Sequence, residues 1–311
     1  VLGIEPPEPD VPPDPVAVAS SIDVPYHIWV AKTSKSAVDA KVASNANVGA
    51  ALVYARWPGN TTNVRMYNTV SGTDTLIGTM PTTAVGILNS DVGVSDTSII
   101  IGIPDDEASS VAAETIMFAG SELIYVISKS KISTDVWSFT VKRGVLDSIP
   151  RKQVAGVVVY FGSDTGRIND NDFSYGSTVN SNLASVNRTT EATKPNWKLV
   201  TTSIDGRAGR PYPPQDIKID GVSFPDQLKE YNADIAITWA HRDRIAQLSG
   251  TMLSYYDASL VSPEAGTTYS IELLDDSDVV VYTVSVGTNS HTIALTALPK
   301  VNATYTLRMY S

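Results

Sequence analysis

Three histidines, His27, His241 and His291, are the side chains best suited to proton transfer or metal binding, and they lie far apart on unlike segments. No pair has the spacing that puts two ring nitrogens on one helix face. The chain has no cysteine, so it has no thiolate to complete a zinc site, act as a nucleophile or form a disulfide. All three histidines read as structural or surface residues. Asp164, Asp170, Asp172 and Ser174 offer hard oxygens that suit calcium, but the stretch lacks the loop glycine and terminal glutamate of an EF-hand and reads as a polar loop. Asp275 to Asp278 reads as a turn, and His241 to Arg244 as a solvated corner at a strand end. Paired carboxylates for glycoside hydrolysis carry no signal in a chain with 33 acidic residues. No nucleophile elbow, phosphate loop or dinucleotide fingerprint is present. The expectation is a chain that is not an enzyme, with no catalytic, metal or cofactor site.

The tryptophans are weighed the same way. Trp239 and Trp137 sit in alternating apolar segments and are expected in the core, with Trp29 on an early strand and Trp197 opening another. Trp57 precedes Pro58-Gly59-Asn60 and is the one expected at the surface, where an indole can stack on a sugar or fill a partner's pocket.

The elements that must position these residues are mostly strands. Residues 1–20 are an acidic, proline-rich arm that cannot build a core alone. Tyr26 to Val30 reads as a first strand, and Ser36 to Asn47 as a short alanine-rich helix with Ser36 as its N-cap. Gly49 to Trp57 and Val64 to Val70 read as paired strands, with further short strands over 75–80, 85–88 and 98–103. Asp105 to Ala113 suggests a helical turn. Glu114 to Ala119 and Glu122 to Ile127 form a hairpin about Gly120-Ser121. Val136 to Arg143 alternates, while Val154 to Phe161 is nearly all apolar and reads as a strand buried on both faces. Residues 21–165 are thus expected as a β-barrel or β-sandwich with minor helix. Residues 166–212 are a polar bridge with a short strand near Trp197, ending in the stiff joint Arg210 to Pro214. Residues 213–311 alternate over 215–220, 234–240, 267–274, 279–286, 290–295 and 304–310. That spacing, with a tryptophan on the second strand, suggests a fibronectin type III-like sandwich. The fold class is all-β throughout.

Composition narrows the function classes. The hydrophobic share is 42% and the charged share 18%, so a sizeable core is available. The net charge is −10 with lysine and arginine scattered, which argues against nucleic acid. No apolar run is long enough to cross a bilayer. The chain opens on Val1 with nothing like a signal peptide, which points to a piece of a longer polypeptide.

Two passages together resemble a known group. Thr115 to Val126 carries Gly120-Ser121-Glu122 at a hairpin, and Trp137 to Gly144 is a strand ending in Arg143-Gly144. Arg210 to Pro214 leads to Ile237 to Arg244 and then Pro263 to Tyr269. The combination is similar to tail-tip or hub proteins, of the central tail-fibre kind, in tailed bacteriophages and gene transfer agents, where a fibronectin-like module follows the hairpin. The resemblance covers roughly residues 49–311. It implies a structural virion component at the host-facing end of the tail, assembling as a symmetric homo-oligomer with other tail proteins. The alternative it leaves open is an adhesion module that binds a host receptor or glycan. Six strands after the joint leave the module without a closing strand, so the polypeptide is expected to continue or another chain to supply it.

Overall fold

The computed structural model describes residues 12–44, 48–56, 59, 63–162, 165–188, 190–223, 233–248, 252–257, 261–298 and 305–311, without the side chains of Asp170 and Asp172. Strand dominates, as expected, and three bodies emerge.

The first body is a pair of facing sheets. β1 (Ala19–Asp23), β2 (Val48–Ala55) and a late strand, β11 (Arg167–Ser174), make one sheet. β3 (Asn63–Val70) and β4 (Thr73–Met80) join β12 (Thr178–Val186) and β13 (Lys198–Ser203) in the order β13-β12-β3-β4. Every residue of β2 is buried, because Leu52 and Tyr54 face one core while Val53 and Ala55 face another. Two expectations fail here. β3 pairs with β4 and β12, not with β2. The expected polar bridge contributes β11, β12 and β13, whose inward residues Leu183 and Val200 pack with Val64 and Met66. Polar residues stand on both faces of these strands, with Asn169, Ser181, Ser185 and Thr202 buried, so the alternation of apolar residues is weak and composition alone read as loop.

The second body lies between β4 and β11 in the chain. β5 (Ala84–Leu88), β6 (Ser98–Gly102), β7 (Ile116–Ala119), β8 (Glu122–Ser133), β9 (Val136–Lys142) and β10 (Val158–Phe161) close into a barrel in the order β10-β5-β6-β9-β8-β7. Met117, Phe139 and Phe161 fill its interior. Ile116, Phe118 and Leu123 point the other way and pack on β2, so β7 is buried on both faces. The expected hairpin is present, with β7 paired to β8. The expected long buried strand over 154–161 shrinks to β10, and Val154 is exposed in the preceding turn.

Helices are few. Tyr26 to Val30 is not a strand but part of α1 (Tyr26–Lys32), which starts behind Pro25 with Trp29 fully buried. Proline at the N-cap fixes the entry, and the 3.6-residue period suits burial of Tyr26 and Trp29 equally well. α2 (Lys35–Ser44) follows, capped by Ser34, whose Oγ accepts from Ala37 N at 3.2 Å, and not by Ser36. α3 (Asp105–Ser110) is the expected acidic turn. The end of the proline-rich arm is built in, since Val16 is buried and β1 begins at Ala19.

The third body is the fibronectin-like sandwich. β14 (Gln215–Ile219), β15 (Val222–Ser223), β16 (Ile235–Ala240) and β19 (Ser290–Ile293) form one sheet in the order β15-β14-β16-β19. β17 (Tyr269–Leu274), β18 (Val280–Val286) and β20 (Thr306–Tyr310) form the other, in the order β18-β17-β20. Trp239 lies in the core between them, edge-on to Tyr269.

Candidate functional site: a buried arginine joint

Glu122 starts β8 at the tip of the hairpin and Arg143 follows the end of β9, positions that antiparallel pairing brings side by side. Both are fully buried. Arg143 Nε donates to Glu122 Oε1 at 2.7 Å and Nη2 to Oε2 at 2.8 Å, a two-toothed pair. The same carboxylate accepts from the backbone N–H of Gly144 and Arg151 and from Gln153 Nε2. The guanidinium also donates to Gly93 O and Arg151 O. Burying one charge pair costs several kcal/mol per ion unless its remaining donors and acceptors are met. Here they are met, and the pair fixes the loop that leaves β9.

That loop carries the second arginine. Gly144 and Leu146 have positive φ, 57° and 54°, and the turn aims the carbonyls of Gly144, Leu146 and Ser148 in one direction. Arg242, just past β16, reaches into them. Its Nη2 donates to Gly144 O at 2.6 Å and its Nη1 to Ser148 O at 3.0 Å and to Leu146 O. Its Nε donates to Gln215 Oε1 at 2.6 Å. The Tyr255 ring lies 5.8 Å from the guanidinium carbon. Burial pulls the guanidinium down to about 10, with no carboxylate hydrogen-bonded to it among the described residues. It stays protonated at neutral pH because neutral carbonyl dipoles surround it. The expected solvated corner is therefore corrected: Arg242 is 1% exposed and pins the sandwich to the barrel.

Further contacts widen the joint. Tyr255 N donates to Arg143 O at 2.9 Å, and Tyr256 hydroxyl to Val94 O at 3.2 Å. Lys142 Nζ donates to Met252 O at 2.7 Å and pairs with Asp257. Arg244 pairs with both oxygens of Glu264, donates to Ala208 O, and lies 5.1 Å from the Tyr26 ring. Arg207 makes a two-toothed pair with Asp147, and its backbone N–H donates to Asp23 Oδ2 at 2.9 Å. Each cation named here is paired or hydrogen-bonded, and the arrangement holds the bodies together.

The other sequence-stated residues are not gathered. His27 lies on α1 with Nδ1 buried, and burial lowers its basicity. His241 Nδ1 lies 2.8 Å from Tyr269 hydroxyl, and His291 Nε2 lies 2.8 Å from Tyr282 hydroxyl. Asp275 Oδ1 accepts from Ser277 N and Val279 N, the expected turn. Ser174 is exposed on β11. Asp164 and Trp57, and the side chains of Asp170 and Asp172, lie outside the described residues. Trp137 is half-buried and packs against the barrel core, with its Nε1 donating to Asp105 Oδ1 at 2.9 Å. Trp197 stacks on Tyr67 at 4.6 Å on the outward face of the four-stranded sheet. Arg242 was missed because it falls off the inward phase of Ile237 and Trp239, and no local pattern announces three carbonyls from a loop about a hundred residues earlier.

No family model matches the chain, and no curated protein matches it. Among solved structures, the chicken CNTN1 FN1–FN3 domains cover 84% of this chain and 87% of their own at 10% identity, with a TM-score of 0.19. At that TM-score the overlay transfers nothing to this chain.

Proposed function

We propose that this chain is a structural, non-enzymatic part of a bacteriophage tail tip or hub, working by protein–protein assembly at the host-facing end of the tail. The observation that supports the reading is the position of the residues behind the resemblance. Glu122 at the hairpin, Arg143-Gly144 at the strand end and Arg242 after the second strand of the sandwich form one continuous buried network. A sequence pattern that builds a stiff joint between a barrel and an end module suits a part that transmits position and load. On this reading the partners are further copies of the chain and other tail proteins, and the location is the virion.

The test is composition of the particle. Tails purified from a lysate of the encoding phage are digested and sequenced by mass spectrometry, and gold-labelled antibody to residues 213–311 is located by electron microscopy. Label at the tail end is expected; peptides absent from purified particles overturn the proposal. The adhesion reading draws on one feature, the exposed ring of Tyr175 between β11 and β12, with Arg210 5.4 Å from its centroid. Adsorption of the purified chain to host cells, lost in Tyr175→Ala, would favour it.

A further inference from the structure

The two facing sheets of the first body meet mostly through apolar side chains, but one level between them is polar. Asp23 on β1 and Asn169 on β11 both stand opposite Ala51 of β2, so the three side chains form a row on one face. Ala51 clusters with Val179 of the facing sheet, and the next inward residue of that strand is Ser181. Arg167, two residues before Asn169, takes the same face and sends its two Nη atoms to Ile77 O and Thr79 O of β4. Asn169 and Ser181 are fully buried, and Asp23 nearly so. Among the described residues, Asn169 Oδ1 and Nδ2, Ser181 Oγ, Asp23 Oδ1 and Arg167 Nε have no hydrogen-bond partner. Asp23 and Asn169 stand two strand spacings apart, about 10 Å, with only the methyl group of Ala51 in the row between them.

We infer that this level is an internal hydration site, where ordered water bridges Asn169, Ser181, Asp23 and Arg167 and so ties the two sheets together. The unmet groups select the ligand. Asn169 Nδ2 and Arg167 Nε need acceptors, whereas Asn169 Oδ1 and Asp23 Oδ1 need donors. A metal cation meets only the second set and an anion only the first. Water both donates and accepts, and it is small enough for a space floored by alanine. About six unmet positions, at about three hydrogen bonds per molecule, call for about two waters. Asp23 Oδ2 is already taken by the N–H groups of Asp205 and Arg207, which leaves Oδ1 to the site. Left dry, each of these groups would carry its full desolvation cost. The site stands independently of the virion reading.

The experiment uses the full chain, isotope-labelled and deuterated, in two nuclear magnetic resonance measurements. Water-selective cross-relaxation reads contacts between long-lived water and the Asn169 side-chain amide. Relaxation dispersion of the water oxygen counts the long-lived molecules. Contacts of the slow-exchange sign at the Asn169 amide are expected. Asn169→Leu should lower the count by about two waters and Ser181→Ala by about one. Ser181→Ala removes a single oxygen and keeps the test open should Asn169→Leu fail to fold, which amide shifts outside the first body report. An Asn169 amide with no water contact, or an unchanged count in the folded Ser181→Ala variant, overturns the proposal. So does a scalar coupling across a hydrogen bond from Asn169 Nδ2 to a protein carbonyl. A sodium relaxation signal that either variant abolishes overturns it too, by assigning the site to a cation.

Discussion

Arg242→Ala is the sharpest test of the joint. The substitution removes every donor from the carbonyls of Gly144, Leu146 and Ser148 and from Gln215 Oε1. An unmet buried acceptor costs about 1–3 kcal/mol, so the plain sum over these groups runs to roughly 4–12 kcal/mol. Neighbouring losses do not add, and water will enter the space the side chain leaves, which brings the expectation to about 3–5 kcal/mol. Set against a total stability of about 5–15 kcal/mol, that loss is large enough to separate the sandwich from the barrel before either unfolds. The assay is urea unfolding followed by amide exchange on the full chain. The parent should lose protection in β8–β9 and β16–β17 together, whereas the variant should lose β16–β17 first. Arg242→Lys should fall between them, because one ammonium cannot span the carbonyls that the planar fork reaches. A loss below about 1 kcal/mol in Arg242→Ala, with one shared transition, would refute the claim that this residue carries the joint.

Other changes have separate readouts. Glu122→Gln leaves the Arg143 guanidinium buried without its countercharge and should lower urea stability by about 3–5 kcal/mol, while Glu122→Leu with Arg143→Met together should recover much of it. Asp23→Asn should be neutral or stabilising near neutral pH. Burial holds the Asp23 carboxyl above its usual range against the N–H groups of Asp205 and Arg207. The folded chain therefore binds the proton more tightly than the unfolded one, so the parent loses stability as pH rises from the ordinary carboxylate value through the raised one. The asparagine variant should show a flatter stability profile over that window; an identical slope counts against the assignment. Gly49→Ala should cost about 1–3 kcal/mol, since its new methyl would sit 2.6 Å from Ile204 Cγ2 and 2.7 Å from Asp23 Oδ1. Gly120→Ala, in open space at a φ of 59°, should cost only the left-handed backbone penalty of about 1–2 kcal/mol.

Strand periodicity made most of the sheet residues legible. The hairpin at Gly120, the alternation around Trp137 and the six segments after Pro214 all appear close to their expected bounds. What failed was partner choice and layer. β12 buries Ser181 and Ser185 in the same phase as Val179 and Leu183, so its inward face is itself half polar and the strand read as loop. β2 and β7 look alike in composition to β10, yet only the first two are covered on both sides, and that depends on which sheet folds over them. α1 was misread because a five-residue window fits a period of two and a period of 3.6 about equally when it is mostly apolar.

The joint was half legible for a related reason. Glu122 and Arg143 stand near a turn and a strand end, and antiparallel pairing of a hairpin puts such positions together by local rules. Arg242 obeys no local rule, since its partners are backbone carbonyls presented by a loop with two positive-φ residues. Backbone acceptors leave no residue-type signature, so a buried arginine satisfied by carbonyls looks in sequence like a surface one. The distinction decides function, because a solvated corner would leave the end module free to swing, whereas a guanidinium with four acceptors from two bodies fixes its direction.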